Sequence, residues 1–254
     1  MTTKIAKKQD DTSLARPSFI ESATTGTDDI SLEDLKLPRL CIAQGLSPQM
    51  LPGDPARIDG LALFDIFNDL TGEIYRKFEG KDIEPLKFIV CKRSVKFIEF
   101  DEEDRRVPID LDVPRNDPRT KWTKDESGRG VPPRAMKFVE FVVLLLDGDK
   151  EPEPVVISFQ ETNKFNKAAH TRLSGFIKMK RPPAPIYAGV YSVTPGSATN
   201  DNGTFGIFKV GQNGFVPNAE LYEMAKSFGE SLEGREIVVD REGDTSFNPD
   251  ELEE

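Results

Sequence analysis

The sequence predicts an α+β protein, mainly antiparallel β, built as an OB-like barrel with two accessory helices and disordered termini. Three observations carry this reading. Short runs rich in Phe, Val and Ile recur along the chain, separated by turn residues. Two segments switch to helical spacing, and the first of them lies between strand pairs. No βαβ rhythm runs through the chain, which argues against a parallel doubly wound sheet.

The division of the chain follows composition. Residues 1–36 are rich in Thr, Ser, Asp and Lys and read as a disordered N-terminal arm. Residues 37–239 hold the apolar runs and read as an OB-like nucleic-acid-binding domain. Residues 240–254 carry seven acids against one base, too much charge and too little apolar surface for a core, and read as an acidic flexible C-terminal tail. With 254 residues, 37% hydrophobic and 31% charged, the chain has room for a real core with a polar exterior.

The elements are expected in the following order. "LEDLKLPRLCIAQGLSP" brings the first apolar residues, punctuated by Pro38, Gly45 and Pro48. Residues 61–75 are a strand candidate with a turn at Leu70-Thr71-Gly72. Residues 83–100 are long and rich in Phe, Ile and Val, which fits one bent strand or a hairpin turning near Arg93-Ser94. Residues 136–146, "DGDKEPE" and 154–159 read as strand, turn, strand. Between 162 and 180, Phe165, Ala169, Leu173, Phe176 and Ile177 recur at helical spacing, and Arg181-Pro182-Pro183 ends the helix. Residues 186–194 and 203–211 pair across "PGSATNDN". A second helix starts at a Pro217-Asn218 cap, shows Leu221, Met224, Ala225, Phe228 and Leu232 on one face, and stops at Gly234.

Motifs for catalysis are scarce. Neither a phosphate-cradling loop nor a dinucleotide fingerprint is present. Gly203-Thr204-Phe205-Gly206 is a lone G-x-x-G that reads as a hairpin edge. The acids 101–104 read as a solvated turn, and Glu79-Gly80-Lys81 is too short a match to the E-x-K of nucleases to carry weight. One histidine, His170, has no visible orienting partner and reads as a helix-surface or core-edge residue. Cys41 and Cys91 are too few and too far apart for a zinc site; no cofactor is expected. The first residues lack the apolar stretch of a secretory signal, and no run reaches the length of a membrane span, so a cytoplasmic protein with reduced thiols and no membrane partner is expected.

The positive signal is charge. Residues 75–181 hold 23 Lys plus Arg against 19 Asp plus Glu, inside a chain of net charge −10. These cations alternate with aromatics, the material that binds single-stranded nucleic acid: ammonium and guanidinium groups neutralise phosphates, and rings stack on bases. Phe on alternate strand positions is also ordinary core, with Lys on the solvent side. Trp122 is the exception, because it lies in a long polar loop, "RNDPRTKWTKDESGRG", among basic residues. The candidate DNA-binding residues are Lys87, Lys92, Arg93, Lys96, Arg119, Lys121, Trp122, Lys124, Lys164, Lys178, Lys180 and Arg181.

A basic middle followed by an acidic tail that contains an aromatic resembles the tailed-phage single-stranded DNA-binding proteins. "LKLPRLCIAQGLSPQM" and "LTGEIY" are also similar to stretches of phage-encoded proteins of this kind. The resemblance implies an OB fold and a role in DNA replication or recombination, in the cytoplasm of a bacterial host. It further implies that Phe247, Asp250, Glu251, Glu253 and Glu254 recruit replication or recombination proteins. In the best-known members the aromatic is at or next to the last residue, whereas Phe247 stands seven positions from it. A tethered polyanion also competes with DNA for its own groove. Two other readings stay open: an acidic interaction or inhibitor protein that binds a host enzyme, and a metal-dependent nuclease. A homodimer is compatible with each.

Overall fold

The computed structural model describes residues 36–79, 83–101, 107–148, 150–161, 164–180, 182–200 and 203–235. The expected arm, apart from Lys36, and the whole acidic tail lie outside these residues, as does Arg181.

The centre is a sheet in the order β11-β10-β4-β8-β9, every adjacent pair antiparallel. Its strands are β4 (Leu86–Phe100), β8 (Ala135–Leu146), β9 (Glu153–Gln160), β10 (Gly189–Asn200) and β11 (Gly203–Phe215). The short β5 (Pro108–Asp110) pairs with the far end of β4. Helix α1 (Lys164–Lys178) follows β9, and α2 (Ala219–Ser231) follows β11. Before the sheet come β1 (Leu40–Ile42), β2 (Ile66–Asn68) and β3 (Ile74–Arg76), a small antiparallel sheet of its own. Residues 61–75 thus hold a strand, a turn around Leu70-Thr71-Gly72 and the start of a second strand.

Within residues 83–100, β4 is one bent strand and not a hairpin. The bend is a bulge between Val90 and Lys92, where Cys91 has no partner on β8. Leu86, Phe88 and Val90 face the main core, opposite Val143 and Leu145 of β8. Past the extra residue the alternation shifts, so Arg93 stands opposite the core residue Phe141, and Lys92 and Lys96 take the other face.

The inner faces of β4, β8, β9, β10 and β11 share one core, which Leu173 of α1 enters fully buried. Among the described residues no ladder joins β9 to β11, so hydrogen bonds do not close the sheet. The seam is crossed by the segment before β2: the Val156 amide donates to the Pro38 carbonyl at 2.8 Å on the β9 side. On the β11 side the Gln44 carboxamide takes both main-chain groups of Gly206, accepting from its amide at 2.9 Å and donating to its carbonyl at 3.1 Å. A side chain here completes the pairing that a strand would make.

The opposite face is covered by α2. Asn218 caps it, its side chain accepting from the Leu221 amide at 2.8 Å. Ala225 and Leu232 are buried, with Leu221 and Phe228 partly so, against Ile89, Cys91, Leu144, Val142 and Val156. Met224, expected on this apolar face, is instead exposed. Gly229 sits on the bulge: a Cβ there would stand 3.1 Å from the Cys91 carbonyl oxygen. Both cysteines are free, and burial pushes the Cys91 thiol up to about 12.

The β10–β11 hairpin corrects the expected turn. The Pro, Gly, Ser and Asn content of residues 195–200 predicts a loop, yet they continue β10, with Pro195 opposite Phe208. β10 leaves β4 after Val193, so Pro195 sits where its missing N–H removes no bond to β4.

His170 is more buried than expected, 5% exposed beneath α1. Its ring lies 6.4 Å from that of Phe159, and neither ring nitrogen has a hydrogen-bond partner. Nε2 is 3.3 Å from Glu161 Oε1 but not in line for a hydrogen bond. Burial pushes its pKa below the usual 6.5; Lys137 and Arg93 act in the same direction, and Glu161 opposes them. A histidine that is harder to protonate folded than unfolded contributes stability that is present above about pH 6.5 and is lost as pH falls below it.

Two outcomes follow. Gly206→Ala places a Cβ 2.3 Å from Ile42 Cγ2 and 3.0 Å from Phe64 Cδ1, so a lower urea midpoint is expected, with a loss of about 1–3 kcal/mol. An unchanged midpoint would mean that the seam yields freely. Because His170 is the sole histidine, His170→Leu isolates its titration. The wild-type midpoint should fall between about pH 7 and pH 5.5, and the variant's should fall less; equal falls would assign the loss elsewhere.

Candidate nucleic-acid interface

The long connection from β4 to β8 is not a bare loop. It holds β5, a one-turn 3-10 helix (Pro118–Thr120), and a two-stranded hairpin of β6 (Thr123–Lys124) and β7 (Gly130–Val131). Asp125 closes the hairpin, its Oδ1 accepting from the amides of Ser127 at 2.8 Å and Arg129 at 2.9 Å, while Gly128 supplies the φ of +81° the turn needs.

Arg119 ties this arm to β4. Its guanidinium reaches Asp117 Oδ2 at 3.0 Å, Glu99 Oε2 at 2.5 Å and Asp110 Oδ2 at 3.1 Å. Glu99 is nearly buried on β4 and also takes Arg134 at 3.1 Å. Hydrogen bonds to Asp117 and Glu99 raise the Arg119 pKa, and those from Arg119 hold the Asp117 carboxyl below its ordinary range. A buried carboxylate without such partners would be strongly destabilising.

The arm presents Trp122. Its indole lies on the backbone of Gly130 across the hairpin, where a Cβ would be 3.5 Å from Cε3 and Cζ3. One face is thereby supported, and 60% of the residue remains exposed. Between this indole and the N-terminal turn of α1 lies a cleft of about 440 Å³. Phe97 of β4 and the Pro132-Pro133 pair form apolar walls, with Lys137, Glu161, Lys164 and Lys167 on the other side. Three lysines thus face one carboxylate, and that carboxylate is already paired with Lys137. Burial raises the Glu161 pKa but the Lys137 hydrogen bond and charge outweigh it, leaving the group below its ordinary value. An exposed indole bordered by ammonium groups suits a flat ring with an anionic substituent.

The expected site residues are scattered by the fold. Trp122 and Lys164 line the cleft, and Lys121 and Lys124 are exposed beside Trp122 on the arm. Arg93 is exposed on the inner side of β4, its guanidinium 5.9 Å from the Phe141 ring centre. Lys178 is exposed at the far end of α1. Lys87 and Lys96 stand on the α2 side of the sheet. Three cations are engaged elsewhere. Arg119 is bound by its carboxylates; Lys92 donates to the Leu232 and Arg235 carbonyls at 2.7 and 2.5 Å, at the end of α2. Lys180 is 5% exposed, donating to the Gly214 carbonyl at 2.9 Å with its ammonium 4.4 Å from the Phe215 ring centre. Burial lowers the pKa of both lysines, and Lys96 adds to the effect at Lys92. Arg181 and the tail residues Phe247, Asp250, Glu251, Glu253 and Glu254 lie outside the described residues.

Sequence reasoning did not select Lys137, Lys167 or Phe97. Lys167 was available as the next exposed position after Lys164 on the helical face; Phe97 depends on the bulge, which no spacing announced.

No helix among the described residues is long and apolar enough to cross a membrane. No curated protein and no solved structure matches the chain. A family profile does match, across residues 7–238. The chain belongs to the Pam3 phage gp34-like protein family, named for a phage protein.

Proposed function

We propose that this chain is a phage protein that binds single-stranded DNA without catalysis, taking a base against Trp122, and that it serves phage DNA replication or recombination. The observation that carries the reading is the 60% exposed indole at the cleft that Lys137, Lys164 and Lys167 line. Stacking on an aromatic is tolerant of sequence, because every base has a π-face, and lysines supply the phosphate contacts.

The strand order supports the same reading. β4, β8 and β9 form a meander, α1 follows the third strand, β10 returns to the free edge of β4, and β11 pairs with β10. An OB fold is a partly open five-stranded Greek-key barrel, and the loop between its first two strands borders the oligonucleotide face. Here that loop is the arm carrying Trp122.

Titration with a single-stranded oligonucleotide tests the proposal. Trp122 is the sole tryptophan, so its fluorescence should fall on binding. Trp122→Ala should weaken binding by about 1–3 kcal/mol. A duplex of equal length should bind more weakly. Equal affinity for duplex, or unchanged fluorescence at saturation, would overturn it, and capture of a host enzyme with no oligonucleotide binding would favour the interaction-protein reading.

The acidic residues 240–254 are proposed to compete with DNA for the basic surface and, through Phe247, to recruit replication proteins. Deleting them removes six net negative charges. Oligonucleotide affinity should rise, most at low salt, since ions screen such attraction over about 8 Å at physiological strength. Phe247→Ala removes no charge and should leave that affinity as it was. A deletion with an unchanged Kd at low salt would rule the competition out.

A further inference from the structure

We propose that the outward face of α1 is a track for the sugar–phosphate backbone of the strand whose base occupies the Trp122 cleft. The inference rests on the reading of that cleft as a base site and extends it beyond the cleft.

Helix α1 carries four cations, Lys164, Lys167, Arg172 and Lys178, and no acid. Helix α2, on the other side of the sheet, carries three acids and one lysine. The buried side of α1 is fixed by His170 and Leu173, so positions 164, 167, 168, 171, 172 and 178 are all exposed together. Along that face Lys164, Lys167 and Lys178 recur near one line, spaced by Ala168, Thr171 and Gly175. Ala168 and Thr171 leave a shallow floor between the ammonium groups, where a backbone can approach. Lys167, Arg172 and Lys178 make no ion pair among the described residues, unlike Lys137, which is held by Glu161. Arg172 is braced by Phe176, its guanidinium 5.5 Å from the ring centre. Met179, 71% exposed, lies over Gly175 and offers an apolar contact at the far end.

Continuity and width select the occupant. Lys164 and Lys167 both line the cleft and begin the row, so a strand leaving Trp122 meets them first. The row extends about 21 Å at 1.5 Å per residue and is one helix wide, which fits one strand's phosphates. A tract of several nucleotides falls within the range of about 4–16 that such domains cover.

The test uses the full chain and an Arg172→Ala/Lys178→Ala variant, which leaves the cleft lysines in place, with affinity measured against salt. The probes are a (dT) trimer and a (dT) oligomer of about twenty nucleotides, the latter long enough to exceed one site. For the longer probe, the slope of log K against log salt should become shallower by about 1.4, at about 0.7 for each phosphate no longer neutralised. Trimer affinity should change little, and Trp122 quenching at saturation should persist. Lys226→Ala, a charge removed from α2, should leave the slope as it was. If the variant keeps the wild-type slope while Trp122 is quenched normally, the track is wrong and the cleft reading stands. If Lys226→Ala flattens the slope as much per charge, the effect is the general field of the protein, and the track is wrong. If a duplex binds as tightly as the single strand and shows the same flattening, the face reads duplex instead. Wild-type protein that binds neither probe overturns the cleft reading, and the track with it.

Discussion

Strand β4 holds fifteen residues, and the one inside its ladder with β8 that has no partner there, Cys91, decides what the two halves of the strand can do. Before it, alternate side chains fill the core; after it, the alternation resumes shifted by one. Arg93, Val95 and Phe97 therefore fall on the inner side, and Lys92 and Lys96 on the outer. An unbulged strand would exchange the two sets, putting Phe97 under the α2 side and leaving the cleft without its wall. The irregularity is held in place by α2. Gly229 lets the helix lie against the Cys91 carbonyl, and Lys92 bonds the carbonyls of the C-cap Leu232 and of Arg235 just beyond it, next to the end where the partial negative charge of the dipole collects. Core packing, helix docking and the shape of the cleft thus meet at one backbone feature.

The arm bearing Trp122 obeys a second constraint, an electrostatic one. Glu99 must be buried where the arm joins β4, and a buried carboxylate needs its charge matched. Arg119 and Arg134 do so, and Arg119 draws Asp110 and Asp117 into the same cluster. The cations of this basic connection are divided by the demand: Arg119 and Arg134 are bound to carboxylates, and Lys121 and Lys124 are left exposed. The division suits the chemistry of the side chains, since the planar guanidinium can serve several carboxylates at once and the ammonium keeps its hydration.

How much could be read from residues alone depended on whether a signal was local. Strands with apolar runs, such as 136–146 and 154–159, and the Asn218-capped helix were legible, because burial and capping leave short-range patterns. The strand 195–200 was not: Pro195, Gly196 and Asn200 are turn residues by habit, and only the distance of β10 from β4 makes them acceptable in a strand. Lys180 read as surface charge, but its long stem reaches a carbonyl and two rings from beneath. Trp122 was legible as an exception in polar surroundings. Its neighbours in space, Phe97, Lys137 and Glu161, come from three separate segments that only the register of β4, β8 and β9 brings together.

The Gln44–Gly206 contact carries a consequence for how the protein is made. Its partners are 162 residues apart, so the segment that crosses the seam leaves the ribosome long before the strand it must meet exists. The β4–β8–β9 meander can assemble meanwhile, since its pairings are between consecutive strands. The first strand of the domain waits for the last. Closing so long a loop is slow, and until it closes the edge of β11 is left as a template for another chain. The vulnerable period of this protein is therefore its synthesis, and the amide side chain at position 44 marks when that period ends.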